Sequence, residues 1–282
     1  MPNSDNGVVA VIPARYASTR FPGKPLAAIA GKPMIQWVYE QATRSNVTAT
    51  VVATDDPRIA ECVAGFGGRY VMTAATHTTG TDRIAEAIRE INGHVIINIQ
   101  GDEPLIPVTV INDLARHMTG PAAPDMATVA VPINAADAEF TDPNVVKVVI
   151  DNDGNALYFS RAAIPHRGDP ESGDVRPLWH WGVYAYRRAF LEQFVSWPQS
   201  ALERHEKLEQ LRALENGARI LVLIRDERIV GVDVPEDIEK VEAMLRSGER
   251  MTNGEAEKNR KLADGKIGRR EWWHGEFMED AD

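Results

Sequence analysis

The chain has 282 residues, a hydrophobic fraction of 44% and a formal net charge of −10 at pH 7. This length accommodates one large domain or two closely packed ones. A sequence pI near 5.3 argues against general binding to nucleic acid or to a membrane surface, because both need an extended basic face. The single cysteine excludes an internal disulfide, and there is neither a signal-like start nor an apolar run long enough to span a bilayer. We therefore expect a soluble, cytoplasmic protein.

The first part of the chain alternates short apolar strands with amphipathic helices. The predicted strands are Val8 to Ile12, Thr50 to Ala53, Tyr70 to Met72 and Val95 to Ile99. The predicted helices are Lys32 to Ser45, a segment that Asp56-Pro57 opens and that runs to Phe66, and Thr81 to Ile91. This β-α-β alternation predicts an α/β fold with a mainly parallel sheet and helices on both faces.

The middle of the chain differs, because the strands predicted there read as antiparallel. They are Val145 to Ile150, Leu157 to Ser160 and Val183 to Tyr186. We interpret the segment of about 145–190 as a small inserted β layer, a natural place for subunit pairing. Asp151-Asn152-Asp153 fits the DxD pattern of metal-dependent glycosyltransferases, but the Gly154 that follows favours a hairpin turn without a metal.

The last predicted elements are a strongly periodic helix from Ala201 to Asn216, closed by Gly217, a strand from Ile220 to Ile224 and a helix from Pro235 to Leu245. We expect residues 1–246 to form the main domain. Residues 247–282 are polar and charged and nearly lack Leu, Ile and Val, so they predict a weakly ordered tail.

A loop rich in cations follows the first predicted strand. Between Asp5 and Glu40 the chain carries no carboxylate side chain, yet it contains Arg15, Arg20, Lys24 and Lys32. Ligands of open α/β sheets bind beyond the carboxyl ends of strands, and Arg and Lys are the usual partners of phosphate. Neither a GxxxxGK[ST] nor a GxGxxG motif is present. We interpret the loop as a polyphosphate cradle; a solvated basic loop is the alternative.

Two acidic segments follow predicted apolar stretches. Gln100 to Pro104 (QGDEP) comes after the strand that starts at Val95, and its Asp102 is well placed to hold Mg²⁺ beside the cationic loop. Gly231 to Asp237 (GVDVPED) contains Asp233, a possible second ligand of the same ion. For both segments the alternative is an acidic turn that caps the next helix.

Two further segments combine polar groups suited to a ligand. Thr79 to Arg83 (TGTDR) opens a helix, where hydroxyls and amides could hold a ribose or base, or where a threonine caps the helix. A second set of side chains mixes groups that suit a polyhydroxylated acceptor. It consists of Trp179-His180-Trp181 with Tyr184, and of Glu209 with Gln210. A histidine between two tryptophans is by default part of a packed core.

These motifs, in this order, resemble the 3-deoxy-manno-octulosonate cytidylyltransferases (CMP-Kdo synthetases) among the sugar nucleotidyltransferases. The resemblance runs from about Val8 to Leu245. It rests on PARYASTRFPGKPL, VATDD, GTDR, QGDEP, ALYFSRAAIP, GVYAY, LEQLRAL and GVDVPED. It implies a three-layer α/β/α nucleotidyltransferase fold, Rossmann-like and GT-A-like, in a homodimer. The implied reaction is transfer of CMP from CTP to a sugar acid with release of pyrophosphate and with Mg²⁺ as cofactor.

The resemblance also implies roles for individual residues, matched position by position. Arg15, Arg20 and Lys24 would contact the triphosphate and act in catalysis. The remaining implied residues are Ala14, Thr81, Arg83 and Gln100 for the nucleotide, Asp102 and Asp233 for the metal, and His180, Tyr184, Glu209 and Gln210 for the acceptor. The implied chemistry is an in-line attack of an acceptor hydroxyl on the α-phosphorus of CTP.

The chain departs from the family pattern on the acceptor side. Trp179 stands where a Lys or Arg usually precedes the histidine, Trp181 replaces an aliphatic residue after it, and His166 replaces an aromatic residue. Three functions therefore stay open. They are cytidylyl transfer to Kdo or a related sugar acid, cytidylyl transfer to a small phosphonate such as phosphonoformate, and nucleotide binding without catalysis.

Overall fold

The computed structural model describes residues 7–18, 20–120, 122–166, 175–226 and 230–247. In chain order its strands and helices are β1 (Val8–Ala14), β2 (Ala28–Ile29), β3 (Lys32–Pro33), α1 (Met34–Thr43), β4 (Ala49–Thr54), α2 (Pro57–Gly65), β5 (Tyr70–Met72), α3 (Gly80–Ala87), β6 (Val95–Asn98), α4 (Val108–Met118), β7 (Met126–Pro132), α5 (Ala138–Thr141), β8 (Lys147–Ile150), β9 (Ala156–Ser160), β10 (Leu178–Arg187), α6 (Arg188–Ser196), α7 (Ala201–Glu206), α8 (Gln210–Glu215), β11 (Ile220–Ile224) and α9 (Asp237–Ser247). Short 3-10 helices add Lys24–Leu26 and Ile88–Glu90. Nearly all of the predicted tail lies outside the described residues.

These elements form two compact units. The first comprises residues up to 129, residues 182–198 and the described residues from 230 to 247; the second comprises 130–181 and 199–226 among the described residues. The predicted domain boundaries stay predictions. Within the described residues, no helix is both long and apolar enough to cross a membrane.

A mixed, mostly parallel sheet runs through the first unit, in the order β7-β10-β6-β1-β4-β5. Strand β1 lies parallel to β4 and to β6, with Ala14 opposite Thr54 and Val11 opposite Asn98. Strand β10 is antiparallel to β6. The predicted α/β class with a mostly parallel sheet is confirmed. Because parallel strands end at one edge, the segments that follow β1, β4 and β6 meet there.

Local sequence signals account for these elements. Strand β1 is buried almost throughout because its residues are nearly all apolar. Helix α1 buries Met34, Val38 and Ala42, the face predicted from their spacing. Asp56 caps α2 by accepting a hydrogen bond from the amide of Arg58, as its position before Pro57 predicts.

Helix α9 belongs to the first unit although it follows β1 by more than two hundred residues. Its Val241 is fully buried in a cluster with Ile29, Met34 and Val232. The carboxylate of Glu242 also accepts a hydrogen bond of 2.8 Å from the amide of Ala30, in the turn between β2 and β3. These contacts fix the segment that precedes α9, which contains Asp233.

The second unit contains the predicted β hairpin. Strands β8 and β9 pair antiparallel, with Lys147 opposite Ser160, and β8 also pairs with the start of β10. In the connecting turn the carboxylate of Asp151 accepts hydrogen bonds from the amides of Asp153 and Asn155, and Gly154 has φ of 81°. The interpretation of the DxD sequence as a hairpin turn is confirmed.

The prediction of one helix from Ala201 to Asn216 was wrong. Helix α7 ends at Lys207, whose φ of 56° is left-handed, and α8 begins only at Gln210. The amide of Leu208 donates back to the carbonyl of Glu203, and the Leu208 side chain is buried. Arg161 Nε donates a hydrogen bond of 2.8 Å to the carbonyl of Glu206. The local bond from Leu208 and the tertiary bond from Arg161 end the helix where the apolar periodicity continues.

Candidate active site

A cavity of about 260 Å³ opens in the first unit. It lies at the sheet edge where β1 and β6 end and α3 begins; a Cβ on Gly80 would contact Pro13 at 3.4 Å. Its lining residues are Pro13, Ala14, Arg15, Ser18, Arg20, Lys24, Pro25, His77, Thr78, Thr79, Gly80, Arg83, Gln100, Gly101 and Asp102. The cationic loop and QGDEP segments therefore converge, as predicted from their positions at strand ends, and the TGTDR segment that opens α3 joins them.

Lys24 joins the two predicted metal-binding carboxylates. Its ammonium lies 2.5 Å from Asp102 Oδ2 and 3.7 Å from Asp233 Oδ1. The sum of these distances limits the separation of the two oxygens to about 6 Å. Arg20 adds a second cation, with its guanidinium 3.3 Å from Asp233 Oδ1. Two cations from one loop and two anions from distant parts of the sequence thus form one cluster.

Backbone contacts place Asp233 near Asp102. The amide of Val232 donates to the Asp102 carbonyl over 2.9 Å, and Lys24 Nζ donates to the Val232 carbonyl over 3.0 Å. The Val232 side chain is buried in the cluster described above. The QGDEP turn does not cap α4, which follows Pro107 without a side-chain cap. In GVDVPED, Asp237 accepts amide hydrogen bonds at the start of α9, whereas Asp233 is engaged by Arg20 and Lys24.

The cationic loop folds back on itself. The amide of Gly23 donates to the carbonyl of Tyr16, and a φ of 72° at Gly23 sets the turn into Lys24. The guanidinium of Arg58 stacks on the Tyr16 ring, 3.3 Å from its centroid. Arg15 lines the cavity with an exposed side chain. The loop is therefore a defined structure that presents cations to the cavity.

Arg83 is a buried cation in the wall of the cavity. Its guanidinium pairs with Asp55 Oδ2 at 3.1 Å and donates to Thr73 Oγ1 over 2.5 Å. Thr79 is the N-cap of α3, accepting from the amide of Asp82. Thr81, predicted to contact the nucleotide, is buried and is absent from the cavity lining. Sequence reasoning missed Asp55 and Thr73, although Asp55 belongs to the VATDD motif.

His77 and Ser18 line the cavity without having been predicted. His77 Nε2 contacts the carboxylate of Glu86, which also accepts from the amide of Ala74. The hydrogen bond from Ala74 and then that from His77 lower the pKa of Glu86. His77 precedes TGTDR by two residues, so its proximity to that motif was the only signal available in the sequence.

Gln100 and Tyr184 lie near one another in the first unit. Gln100 Nε2 donates to the carbonyl of Gly182 over 3.1 Å, and Tyr184 is the register partner of Asn98 on β6. Gln100 lines the cavity, and its nucleotide-binding role stays a prediction. Tyr184 is not among the lining residues.

Glu103 lies beside Asp102 with its Oε2 buried and without a hydrogen-bond partner among the described residues. Burial, with a smaller contribution from the charge of Asp102, raises the pKa of Glu103 to about 8. At neutral pH the Glu103 carboxyl is therefore mostly protonated.

Three predicted acceptor residues belong to the second unit. His180 is buried with its ring edge against Phe159, at a centroid distance of 4.9 Å, and burial lowers its pKa to about 3. Glu209 lies 3.4 Å from Arg212. Gln210 is buried, and its Nε2 has no hydrogen-bond partner among the described residues. The role of these residues stays a prediction.

Asp102 and Asp233 offer a limited donor set for a metal ion. Among the described residues, no group of three or more His, Cys, Asp or Glu side chains could hold one. Mg²⁺ typically takes one or two carboxylates and completes its shell with water and substrate phosphates. Two carboxylates beside the cations of the cationic loop fit that pattern.

Comparison with known proteins gives a consistent result. Residues 9–222 match the family described as Cytidylyltransferase. The chain is 49% identical over 244 residues to the 3-deoxy-manno-octulosonate cytidylyltransferase of Photobacterium profundum, covering 83% of this chain and 98% of that relative. It is 52% identical over 247 residues to the enzyme of the same name from Syntrophotalea carbinolica, covering 85% and 98%. The chain belongs to the 3-deoxy-manno-octulosonate cytidylyltransferase family.

A solved structure of the same family agrees with the fold. It is a CMP:2-keto-3-deoxy-manno-octonic acid synthetase in complex with CTP, with a TM-score of 0.82 and 43% identity, matched over 86% of this chain and all of that one. A cytidylyltransferase from Leptospira borgpetersenii, 14% identical with a TM-score of 0.60, shares the fold. The family membership that the sequence motifs indicated is thus confirmed.

Proposed function

We propose that the chain transfers CMP from CTP to 3-deoxy-manno-octulosonate, giving CMP-Kdo and pyrophosphate. The observation that carries the proposal is the cluster in which Lys24 lies 2.5 Å from Asp102 and 3.7 Å from Asp233. It adjoins a cavity lined by Arg15, Arg20 and Arg83. Cations to receive a triphosphate and carboxylates to receive a divalent ion are together what such a reaction needs.

In the proposed mechanism the 2-hydroxyl oxygen of the sugar acid attacks the α-phosphorus of CTP in line with the departing pyrophosphate. The new oxygen–phosphorus bond forms as the bond between the α-phosphorus and the bridging oxygen breaks, and the hydroxyl proton is released. Arg15, Arg20 and Lys24 offset the negative charge that accumulates on the phosphates. Positioning and charge stabilisation account for most of the acceleration of such transfers.

Asp102 and Asp233 would hold Mg²⁺, which when bound neutralises phosphate charge. Arg83 is fixed by Asp55 and Thr73 in the cavity wall, where its remaining N–H groups can bind the nucleotide. Gln100 is the polar residue at the end of β6 that faces the same cavity. Three assignments stay predictions. They are the homodimer, the cytoplasmic location, and acceptor binding by His180, Tyr184, Glu209 and Gln210.

The test is pyrophosphate release by the purified chain with Mg²⁺, each of the four nucleoside triphosphates, and a panel of acceptors. We expect release only with CTP and Kdo, and we expect mass spectrometry to show CMP-Kdo. Trp179, Trp181 and His166 depart from the family pattern, so phosphonoformate and amino-Kdo belong in the panel. If pyrophosphate is released with phosphonoformate but not with Kdo, phosphonoformate replaces Kdo as the assigned acceptor. Absence of release with every acceptor, in a chain that still binds CTP, would favour nucleotide binding without catalysis.

A further inference from the structure

Asp233 is weakly held through its own side chain. Its carboxylate is 59% exposed, and its partners Arg20 and Lys24 lie at 3.3 and 3.7 Å. Exposed ion pairs of this length contribute little to holding a geometry. The orientation of the Asp233 carboxylate therefore has to come from its backbone.

The backbone around Asp233 is held by a second carboxylate. Asp237 Oδ2 accepts hydrogen bonds from the amide of Asp233 over 3.0 Å and from that of Val234 over 3.2 Å. The amide of Asp237 donates to the Val234 carbonyl over 3.1 Å. These bonds close the turn between residues 233 and 237.

Asp237 is itself well anchored. Its Oδ1 accepts from Lys240 Nζ over 2.7 Å, and Asp237 begins α9. The helix is fixed by buried Val241 and by the bond between Glu242 and the amide of Ala30. A displacement of the Asp237 carboxylate is therefore transmitted to Asp233 rather than absorbed by the helix.

Helix capping accounts for part of this arrangement. The hydrogen bond that Asp237 accepts from the amide three residues earlier is similar to the reciprocal half of a capping box, although α9 itself begins at Asp237. The bond to the amide of Asp233 reaches one residue further, to the carboxylate-bearing residue of the cluster. Capping alone gives no reason for this second bond.

We propose that Asp237 is a positioning residue that orients Asp233 toward Asp102 and Lys24, so that the two carboxylates can hold one divalent cation. The inference rests on the proposed function, because it assigns Asp233 to the nucleotide-bound cation. Residues that orient metal ligands typically change metal affinity by about 10- to 100-fold when removed.

The experiment measures Mn²⁺ binding in the presence of CTP and without acceptor, by electron paramagnetic resonance of free Mn²⁺. The variants are Asp237→Ala, which removes the acceptor oxygens, Asp237→Glu, which keeps the charge and moves the carboxylate by one methylene, and Asp237→Asn, which keeps an oxygen in place. Glu239→Gln is the matched control, since it removes an exposed charge from the same helical turn.

We expect Mn²⁺ affinity to fall about tenfold or more in Asp237→Ala and Asp237→Glu, and to stay within about threefold of wild type in Asp237→Asn and Glu239→Gln. Asp237→Glu decides the question if Asp237→Ala does not fold. Wild-type affinity in Asp237→Glu, or an equal loss in Asp237→Asn, overturns the positioning role. If wild type itself binds no Mn²⁺ with CTP, the metal assignment in the proposed function has failed instead.

Discussion

Replacing Lys24 with methionine removes the ammonium that joins Asp102 and Asp233 and keeps a side chain of similar length. If Lys24 offsets charge that develops on the phosphates, its loss should lower kcat by about 10²- to 10³-fold, or roughly 3–4 kcal/mol of transition-state stabilisation. The stability cost should be small. The Lys24 and Asp102 side chains are 16% and 33% exposed, and their pair contributes on the order of 1 kcal/mol.

The assay for this prediction is pyrophosphate release at saturating CTP and Kdo, with thermal unfolding measured in parallel. Lys32→Met is the matched control, because Lys32 also forms one short ion pair, 2.6 Å from Glu40, yet lies outside the cavity lining. We expect this control to keep kcat within about threefold of wild type. A Lys24→Met enzyme with kcat within tenfold of wild type would refute the reasoning, as would an equal loss in the control.

Three further predictions concern the carboxylates, a buried histidine and a strained residue. Asp102→Asn and Asp233→Asn should each lower Mg²⁺-dependent turnover at least tenfold. The double variant should lose less turnover than the product of the two single losses, because both carboxylates serve one ion. A loss equal to that product would argue for separate roles. Burial lowers the pKa of His180 to about 3, so at pH values between about 3 and 6.5 the unfolded chain binds a proton that the folded chain does not. This group therefore lowers the free energy of unfolding by about 1.4 kcal/mol per pH unit as pH falls from about 6.5 toward 3. Nuclear magnetic resonance should show no titration of His180 between pH 5 and 8, and a midpoint in that range would contradict the burial argument. Lys207→Gly should raise the free energy of unfolding by up to about 1 kcal/mol in urea titrations, since φ at Lys207 is 56°; a decrease would mean that the lysine side chain stabilises the turn.

The sequence predicted those parts of the fold that depend on local pattern. Strand β5 was predicted to the residue, and β1, β4 and β6 to within two residues, because each is a compact apolar run beside clear turn residues. Helix α4, strand β7 and helix α6 were not predicted. The break at Lys207 depends on Arg161 and Leu208, which no periodicity reveals.

The site could be predicted only in outline. Cations and carboxylates at strand ends pointed to Lys24 and Asp102, because parallel strands finish at one edge. Asp233 could be named only as a possible second ligand, because its approach to Asp102 depends on the backbone bond from Val232. Two sets of supporting contacts have no signature in the spacing of the residues that form them. They are the contacts of Asp55 and Thr73 with Arg83, and the hydrogen bond from the amide of Asp233 to Asp237.

The hydrogen bond from Lys24 to the carbonyl of Val232 joins residues 208 positions apart. At typical rates of translation, roughly 10 to 40 seconds separate the synthesis of these two residues. Once Asp102 has been synthesised, the nascent polypeptide contains the basic loop and Asp102 but still lacks the segment that completes the cluster. Premature termination before Val232 therefore yields a product without this contact, and the cluster is complete only after Val232 has been synthesised.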